Sequence, residues 1–423
     1  MRVQEHQRGH ARTVASPPGP READCPRRVT TRRGCAVAGR LIVHVSDCYL
    51  PRLGGIEVQV RQLAMRQAAE GHDVHVITGT PGSGEVRSGV EMLDGVTVHR
   101  VAATIPFDLP VHPRTAHHVL GVIDRVGANA GDRLVVHVHA GVVSPFAWSG
   151  LRATAGRGLP TLVTVHSVWG PLAQPGFRVL DGLVRWSRLG VQLAAVSEVA
   201  AARIRSVVGS SAAVLVTPNG VDPSLWRVSP VPHSPSEVHA VSVLRLAPRK
   251  RARPLLDIVE AASAALSSDM RLRLTVVGDG PDRARVERRI RDRGLDVSLP
   301  GRLTHEQIRS LYATADLFVQ PSVKESFGLA ALEARTAGLP VVARRETGIT
   351  EFVRDGVEGL LVGSDDEMAV AVVRLATDVG LREAIAAHNR AIEPDQVWPR
   401  VLETVDRAYE AAAARRRTSA SGA

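Results

Sequence analysis

The 423-residue chain is 44% hydrophobic, 3% aromatic and 23% charged, with a formal net charge of +10. That length exceeds what one core holds and predicts two domains, while the absence of an 18-residue apolar run or a secretory leader predicts a soluble, cytoplasmic protein. The positive charge invites a nucleic-acid partner, but nine of the ten charges belong to residues 1–40 and to Arg415, Arg416 and Arg417, which leaves a nearly neutral body and argues against nucleic acid.

Residues 1–38 and 413–423 read as disordered basic tails. Their charge suits peripheral contact with an anionic inner membrane face, although an extension without a role is the simpler reading of 1–38. Cys25, Cys35 and Cys48 are odd in number and lack companions at metal-ligand spacing, so reduced thiols are expected.

From residue 41 onward, short β-branched runs alternate with amphipathic stretches of helical length, the pattern of parallel βαβ units. A first set of strands is predicted at 41–46, 73–78, 96–101, 134–139, 161–166, 192–197 and 213–218. A second is predicted at 237–243, 272–278, 296–301, 316–321 and 339–344. Between the sets, "PSLWRVSPVPHSPSE" (223–237) is rich in proline and serine and has no period, so it reads as a linker. The expected architecture is α/β: a Rossmann-like domain over 39–222, a second over 238–392, and a closing helix over 393–412.

In such sheets ligands sit beyond the carboxyl ends of the strands, so residues just after a strand are the first candidates. Gly54 and Gly55 follow the first strand and precede a helix starting near Ile56; paired glycines let backbone N–H groups approach an anion. His137 and His139 close the fourth strand and His166 the fifth. They are a metal pair or satisfied core groups, with no third ligand visible at suitable spacing. After the first strand of the second set come Arg245 and Lys250. Lys250 and Lys324 are the only lysines against 51 arginines. A forked guanidinium and a compact ammonium suit a diphosphate, although a solvated basic loop would look the same in isolation. "VVGDGP" (276–281) adds a glycine turn at a strand end, and "QPSVKESFGLAALEA" (320–334) adds a helix N-terminus at Ser326 to Gly328.

"PRLGGIEVQVRQLAMRQAAEGHDVHVIT", "AVSEVAAARI", "TPNGVD", "VVGDGP", "ESFGLAALE" and "TGITEFVRDGVEGLLV" occur in that order between residues 41 and 412. Together they resemble a family 4 glycosyltransferase of the GT-B fold, a group of retaining, nucleotide-sugar-dependent enzymes with two Rossmann-like domains facing across a cleft. The most specific of these motifs is the Glu-x7-Glu pair, Glu325 and Glu333. The resemblance implies that Glu325 meets hydroxyls of the transferred hexose and that Glu333 takes the ribose. On a continuous helix, eight residues at 100° each put the two about 80° apart, nearly on one face. The amides of Phe327, Gly328 and Leu329 would face the diphosphate.

Arg245 and Lys250, with the Gly54–Gly55 amides, would stabilise the leaving diphosphate. His139 matches the family's strand-end histidine, placed to meet sugar or acceptor, and Arg302 is the candidate for the base. No Asp-x-Asp motif is present, so neither a metal nor another cofactor is expected beyond the nucleotide sugar itself. The likeness also implies a closing helix carrying Trp398. Leu244, Thr347 and Arg251 stand where the family usually has glycine, which bears on loop conformation more than on charge. The acceptor is unidentified, whether glycan, lipid or small molecule, and is expected on the loops around 103–118 and 166–178. The rival readings are an inactive sugar-nucleotide-binding module and a GT-B epimerase. A pyridoxal-dependent phosphorylase would need a lysine that the chain does not spare.

Overall fold

In the computed structural model the described residues are 39–421, apart from 53, 83–86, 102–113, 142, 170–173 and 185–188. The tail 1–38 with Cys25 and Cys35, most of 103–118 and part of 166–178 therefore lie outside the described residues; Cys48 is a half-buried free thiol.

The first sheet contains β1 (Leu41–Ser46), β2 (Asp73–Thr78), β3 (Gly89–Leu93), β4 (Val96–Arg100), β5 (Leu134–Ala140), β6 (Thr161–Val165), β7 (Gln192–Ala195) and β8 (Val214–Val216), in the order β3-β4-β2-β1-β5-β6-β7-β8. The strands are parallel except for β3, which runs antiparallel to β4. β1, "LIVHVS", is buried along its whole length, as a strand covered on both faces must be. β3 was not among the predicted strands. Its signal is Asp94-Gly95, both at positive φ (53° and 80°), the backbone a two-residue hairpin requires.

One face of this sheet is covered by α2 (Thr115–Gly127), α3 (Pro145–Gly156) and α5 (Glu198–Val208) through Val43, Val45, Val119, Phe146, Leu151 and Ile204. The other face lies under α1 (Gly55–Ala69) and the last helix of the chain. A further helix, α4, spans Gln174–Val184.

The 223–237 segment is not wholly irregular. It opens with a helical turn, α6 (Pro223–Trp226), capped by Asp222, and Trp226 is buried. The second sheet then follows: β9 (Glu237–Val243), β10 (Arg271–Val277), β11 (Val297–Gly301), β12 (Leu317–Gln320), β13 (Val341–Arg344) and β14 (Gly359–Val362), all parallel, in the order β11-β10-β9-β12-β13-β14. β14 was also unpredicted. The helices of this half are α7 (Ala252–Ala265), α8 (Arg283–Arg293), α9 (His305–Tyr312), α10 (Leu329–Thr336), α11 (Asp365–Thr377) and α12 (Val379–Ala391). α9 begins with a reciprocal Thr304–Gln307 capping box, and Ser364 caps α11 by accepting from the Glu367 amide.

α13 (Trp398–Ser421) crosses back over β5, β6 and β7. It runs nine residues past 412, so the segment expected to be a disordered tail is helical as far as Ser421. Arg415 donates to the Gln192 side chain at 2.8 Å. Arginines and alanines at the end of a helix extend it cheaply. Trp398 is buried, with the Arg66 guanidinium 4.6 Å above its ring. Trp398→Ala should cost about 3–5 kcal/mol of stability, read by chemical denaturation; a loss under about 1 kcal/mol would show that α13 is not held to the first domain through this ring. No helix among the described residues is long and apolar enough to cross a membrane.

Candidate active site

Each sheet has one point where the connections reverse direction. In the second sheet, β9, β10 and β11 step one way and β12, β13 and β14 the other, so the crevice opens between β9 and β12. In the first it opens between β1 and β5. These switch points are where parallel sheets take ligands.

Lys250, after β9, and Glu325, after β12, meet across the second switch point, with Nζ 2.5 Å from Oε2. Both side chains are mostly withdrawn from solvent, at 24% and 10% exposure, which strengthens a charge-assisted contact. Ser322, fully buried, donates to the Lys250 carbonyl at 3.4 Å. Arg251 sits in the left-handed region (φ 63°), as a residue in a glycine position must, and its guanidinium is tied to Asp365. The loop conformation thus survives without glycine, held by an ion pair. Leu244 keeps an ordinary φ and packs in the core. Arg245 is exposed, with no ion-pair partner among the described residues. It projects from a loop stitched to the next strand end by Leu244 N–H to Val277 O and Leu246 N–H to Asp279 O, both 3.0 Å.

Glu325 precedes the helix. α10 starts at Leu329, with Gly328 as its N-cap at φ 92°. The 80° spacing on a shared helix face therefore does not apply: Glu325 belongs to the strand-end loop, and Glu333 to the second turn of α10. Phe327 is buried against Phe352, with ring centroids 5.4 Å apart, so only its backbone is available to a ligand. The Gly348 amide donates to the Glu325 carbonyl at 3.0 Å, and a Cβ at Gly348 would lie 2.0 Å from the Ser326 carbonyl oxygen, so this close approach requires glycine. Thr347 is buried and donates to the Arg344 carbonyl.

Glu333 lines a cleft of about 380 Å³ together with Gln59, Gln62, Trp226, His305 and Trp398. Burial pushes its carboxyl up to about 8, so the unliganded group is largely protonated at neutral pH. Arg302 stands exposed at the end of β11, two strands from β9, and is not among the residues lining this cleft.

On the first-domain side, Gly54 is the N-cap of α1, and the Glu57 carboxylate lies where a Gly54 Cβ would be, 2.5 Å away. The space at Gly55 is open. The two halves touch where the Ser326 hydroxyl donates to the His166 carbonyl at 2.7 Å, and within the first Gln59 exchanges two hydrogen bonds with the Gly220 backbone, at 3.0 and 3.1 Å.

His139 is not among the residues lining the Glu333 cleft but lines a small cavity that shares Gln59 and Trp398 with it. His139 is buried, with one ring nitrogen 2.9 Å from His44 and the other 3.0 Å from His166. His44 continues to the Gln67 amide oxygen at 2.8 Å, Gln67 donates to the Tyr409 hydroxyl on α13 at 2.9 Å, and Tyr409 joins His137, which reaches Thr164. Burial lowers His44 and His166 to about 4 and holds His137 and His139 well below the usual histidine range, so the row is neutral. His166 is the member that reaches the surface. The parallel register His44↔His137 supplies the third histidine that spacing along the chain could not show. His44, His137 and His139 converge closely enough to hold a metal ion, but all six of their ring nitrogens are already hydrogen-bonded, so core satisfaction is the better account. Trp226, His305 and Gln59 were not anticipated; only the cleft around Glu333 picks them out.

Two sheets of this topology with a cationic and acidic switch-point site define a GT-B-type sugar transferase. Residues 53–225 match the sequence profile of Glycosyltransferase Family 4, and residues 237–378 that of Glycosyl transferases group 1. The D-inositol 3-phosphate glycosyltransferase of Actinosynnema mirum is 32% identical over 410 residues, covering 87% of this chain and 95% of that one. A phosphatidylinositol N-acetylglucosaminyltransferase component from Arabidopsis thaliana is 27% identical over 377 residues, covering 88% and 82%. Among solved structures, the fold matches sucrose-phosphate synthase of Thermosynechococcus elongatus (TM-score 0.68, 21% identity, 88% of this chain and 98% of that one). It also matches Anabaena HepE in complex with UDP-glucose (TM-score 0.66, 20% identity, 88% and 98%). The chain belongs to the family 4 glycosyltransferases. It is an enzyme that transfers a sugar from a nucleotide sugar.

Proposed function

We propose that the protein moves a hexose from a nucleoside-diphosphate sugar to an acceptor hydroxyl with retention of anomeric configuration and without a metal ion. The observation that carries this reading is the Lys250–Glu325 contact at 2.5 Å across the second switch point, beside the N-terminus of α10. As the bond from the anomeric carbon to the β-phosphate oxygen breaks, negative charge grows on the diphosphate. Lys250, Arg245 and the amides of residues 327–329 stabilise that charge in the role a divalent ion would otherwise fill. The acceptor oxygen bonds to the same face of the sugar while its proton passes to the departing phosphate oxygen. Glu325 orients the hexose and the Lys250 ammonium. Two relatives carry inositol phosphate or phosphatidylinositol in their names, which favours a phosphorylated polyol as acceptor. The positive charge of residues 1–38 favours peripheral contact with anionic lipid; if deleting them leaves vesicle binding unchanged at low salt, that contact is wrong.

A thermal-shift panel of nucleotide sugars tests the donor. The right one should stabilise by about 2.7 kcal/mol at a hundred times its Kd, and no response to any nucleotide sugar would overturn the reading. Ionisation of Glu333 supplies a finer check. Ribose hydroxyls donate best to a carboxylate, and the group is protonated below about 8. Nucleoside-diphosphate affinity should therefore rise on the order of tenfold from pH 7 to pH 9. Calorimetry on Glu333→Gln should show that rise abolished; an unchanged pH dependence would assign it to another group.

A further inference from the structure

Across Gln59 and Trp398, the Glu333 cleft adjoins the small cavity lined by His137, His139, Thr164 and His166. His166 ends the histidine row there and is only half-buried. Its Nε2 is taken by His139, and its carbonyl accepts from Ser326, the neighbour of Glu325. Its Nδ1 has no hydrogen-bond partner among the described residues, yet it is not one of the unpartnered atoms sealed from solvent.

The row is neutral, so each ring carries one proton, and one amide decides where that proton sits. Gln67 Oε1 only accepts, so His44 donates to it through Nε2 at 2.8 Å and keeps a lone pair on Nδ1. His139 Nε2 then donates to that lone pair at 2.9 Å, and His166 Nε2 donates to His139 Nδ1 at 3.0 Å. His166 Nδ1 is left as an acceptor. On the other side, Gln67 Nε2 donates to the Tyr409 hydroxyl, which frees the phenol proton for His137 Nδ1 and lets His137 donate onward to Thr164. The direction is the same throughout. Were the Gln67 amide turned over, every bond from His44 to His166 would reverse, and Nδ1 would become a donor.

We infer that Gln67 is a positioning residue for the transfer: it fixes the tautomer of His166, whose Nδ1 accepts a hydroxyl of the bound sugar beside Glu325. This rests on the transferase reading above. A phosphate oxygen has no proton to give, so a bare nitrogen at this point selects a hydroxyl over the diphosphate. Gln67 is 2% exposed and lines neither the cleft nor the small cavity, so it acts only through the row.

Ring-nitrogen NMR of the full chain tests the assignment, with the His166 signal identified by its loss in His166→Leu. Wild-type His166 should carry its proton on Nε2 and none on Nδ1, and Gln67→Met, similar in length but without the amide, should show a mixture of tautomers. Turnover should fall on the order of tenfold in Gln67→Met and in His166→Leu, about what one neutral hydrogen bond supports, with nucleoside-diphosphate affinity unchanged. That retained affinity also checks the fold of each variant. Gln67→Met added to His166→Leu should cost no further turnover. A merely structural role would lower turnover by the same factor in both backgrounds and would overturn the inference, as would full turnover in Gln67→Met or a wild-type His166 protonated on Nδ1. If Gln67→Met does not fold, the wild-type spectrum and His166→Leu still decide. A chain that transfers sugar with His166 Nδ1 protonated refutes the inference and spares the transferase reading. His166 in the assigned tautomer, in a chain that turns over no nucleotide sugar, keeps the role of Gln67 in the row while the transferase reading fails.

Discussion

Lys250→Ala should lower turnover by on the order of a hundred- to a thousandfold, the usual consequence of removing one preorganised group from a developing oxyanion. The fold should barely respond, because Lys250 sits in a partly open loop and its contact is with Glu325 and not with a core. The loop itself is held by other bonds, among them Lys250 N–H to Ala247 O at 2.9 Å and the Arg251–Asp365 ion pair, which the substitution leaves in place. Lys250→Arg should recover little, since a planar fork cannot replace a compact ammonium that shares a carboxylate with a phosphate. Steady-state transfer beside thermal denaturation reads both quantities. Full activity in the alanine variant, with any donor, would remove Lys250 from the site.

The two glutamates should separate by opposite signatures. Glu333→Ala is expected to weaken free nucleoside-diphosphate binding, because ribose contacts persist before, during and after transfer. Glu325→Ala is expected to lower turnover by on the order of a hundredfold, and it should leave affinity for the sugar-free diphosphate unchanged or improved. The sign follows from the unliganded geometry: Glu325 holds the Lys250 ammonium at 2.5 Å, so its removal frees that cation for phosphate. Calorimetry with the nucleoside diphosphate on both variants measures the split. Equal losses of affinity would mean that both carboxylates bind the nucleotide and that the hexose assignment of Glu325 is wrong.

Much of the fold could be read from residue type alone. Buried parallel strands such as "LIVHVS" and "DVHVIT" are continuous β-branched runs, and their predicted bounds match β1 and β2. β3, "GVEML", was missed because it is an exposed edge strand without such a run, and the hairpin signal of Asp94-Gly95 went unused. β14, "GLLV", is only four residues long and lies inside a segment read only for its family resemblance. The end of α13 was missed because its composition resembles a tail, while its register against β7 becomes visible only through the Arg415–Gln192 contact.

The candidate site was legible as a set of strand ends and not as a set of distances. Lys250 and Glu325 are 75 positions apart in sequence, and only the adjacency of β9 and β12 makes them partners. The same limit hid the surroundings of His139. Spacing along the chain shows a strand-end histidine alone, whereas the register of β1 against β5 brings His44 to one side of it and His166 to the other.

Proton NMR of the transfer reaction, run with the donor found by thermal shift and with a chelator present, tests the central claim most directly. The account predicts a product whose new glycosidic bond has the anomeric configuration of the donor, formed at an undiminished rate in the chelator. An inverted product, or a rate that falls with chelation and returns with a divalent ion, would contradict the cationic switch-point mechanism.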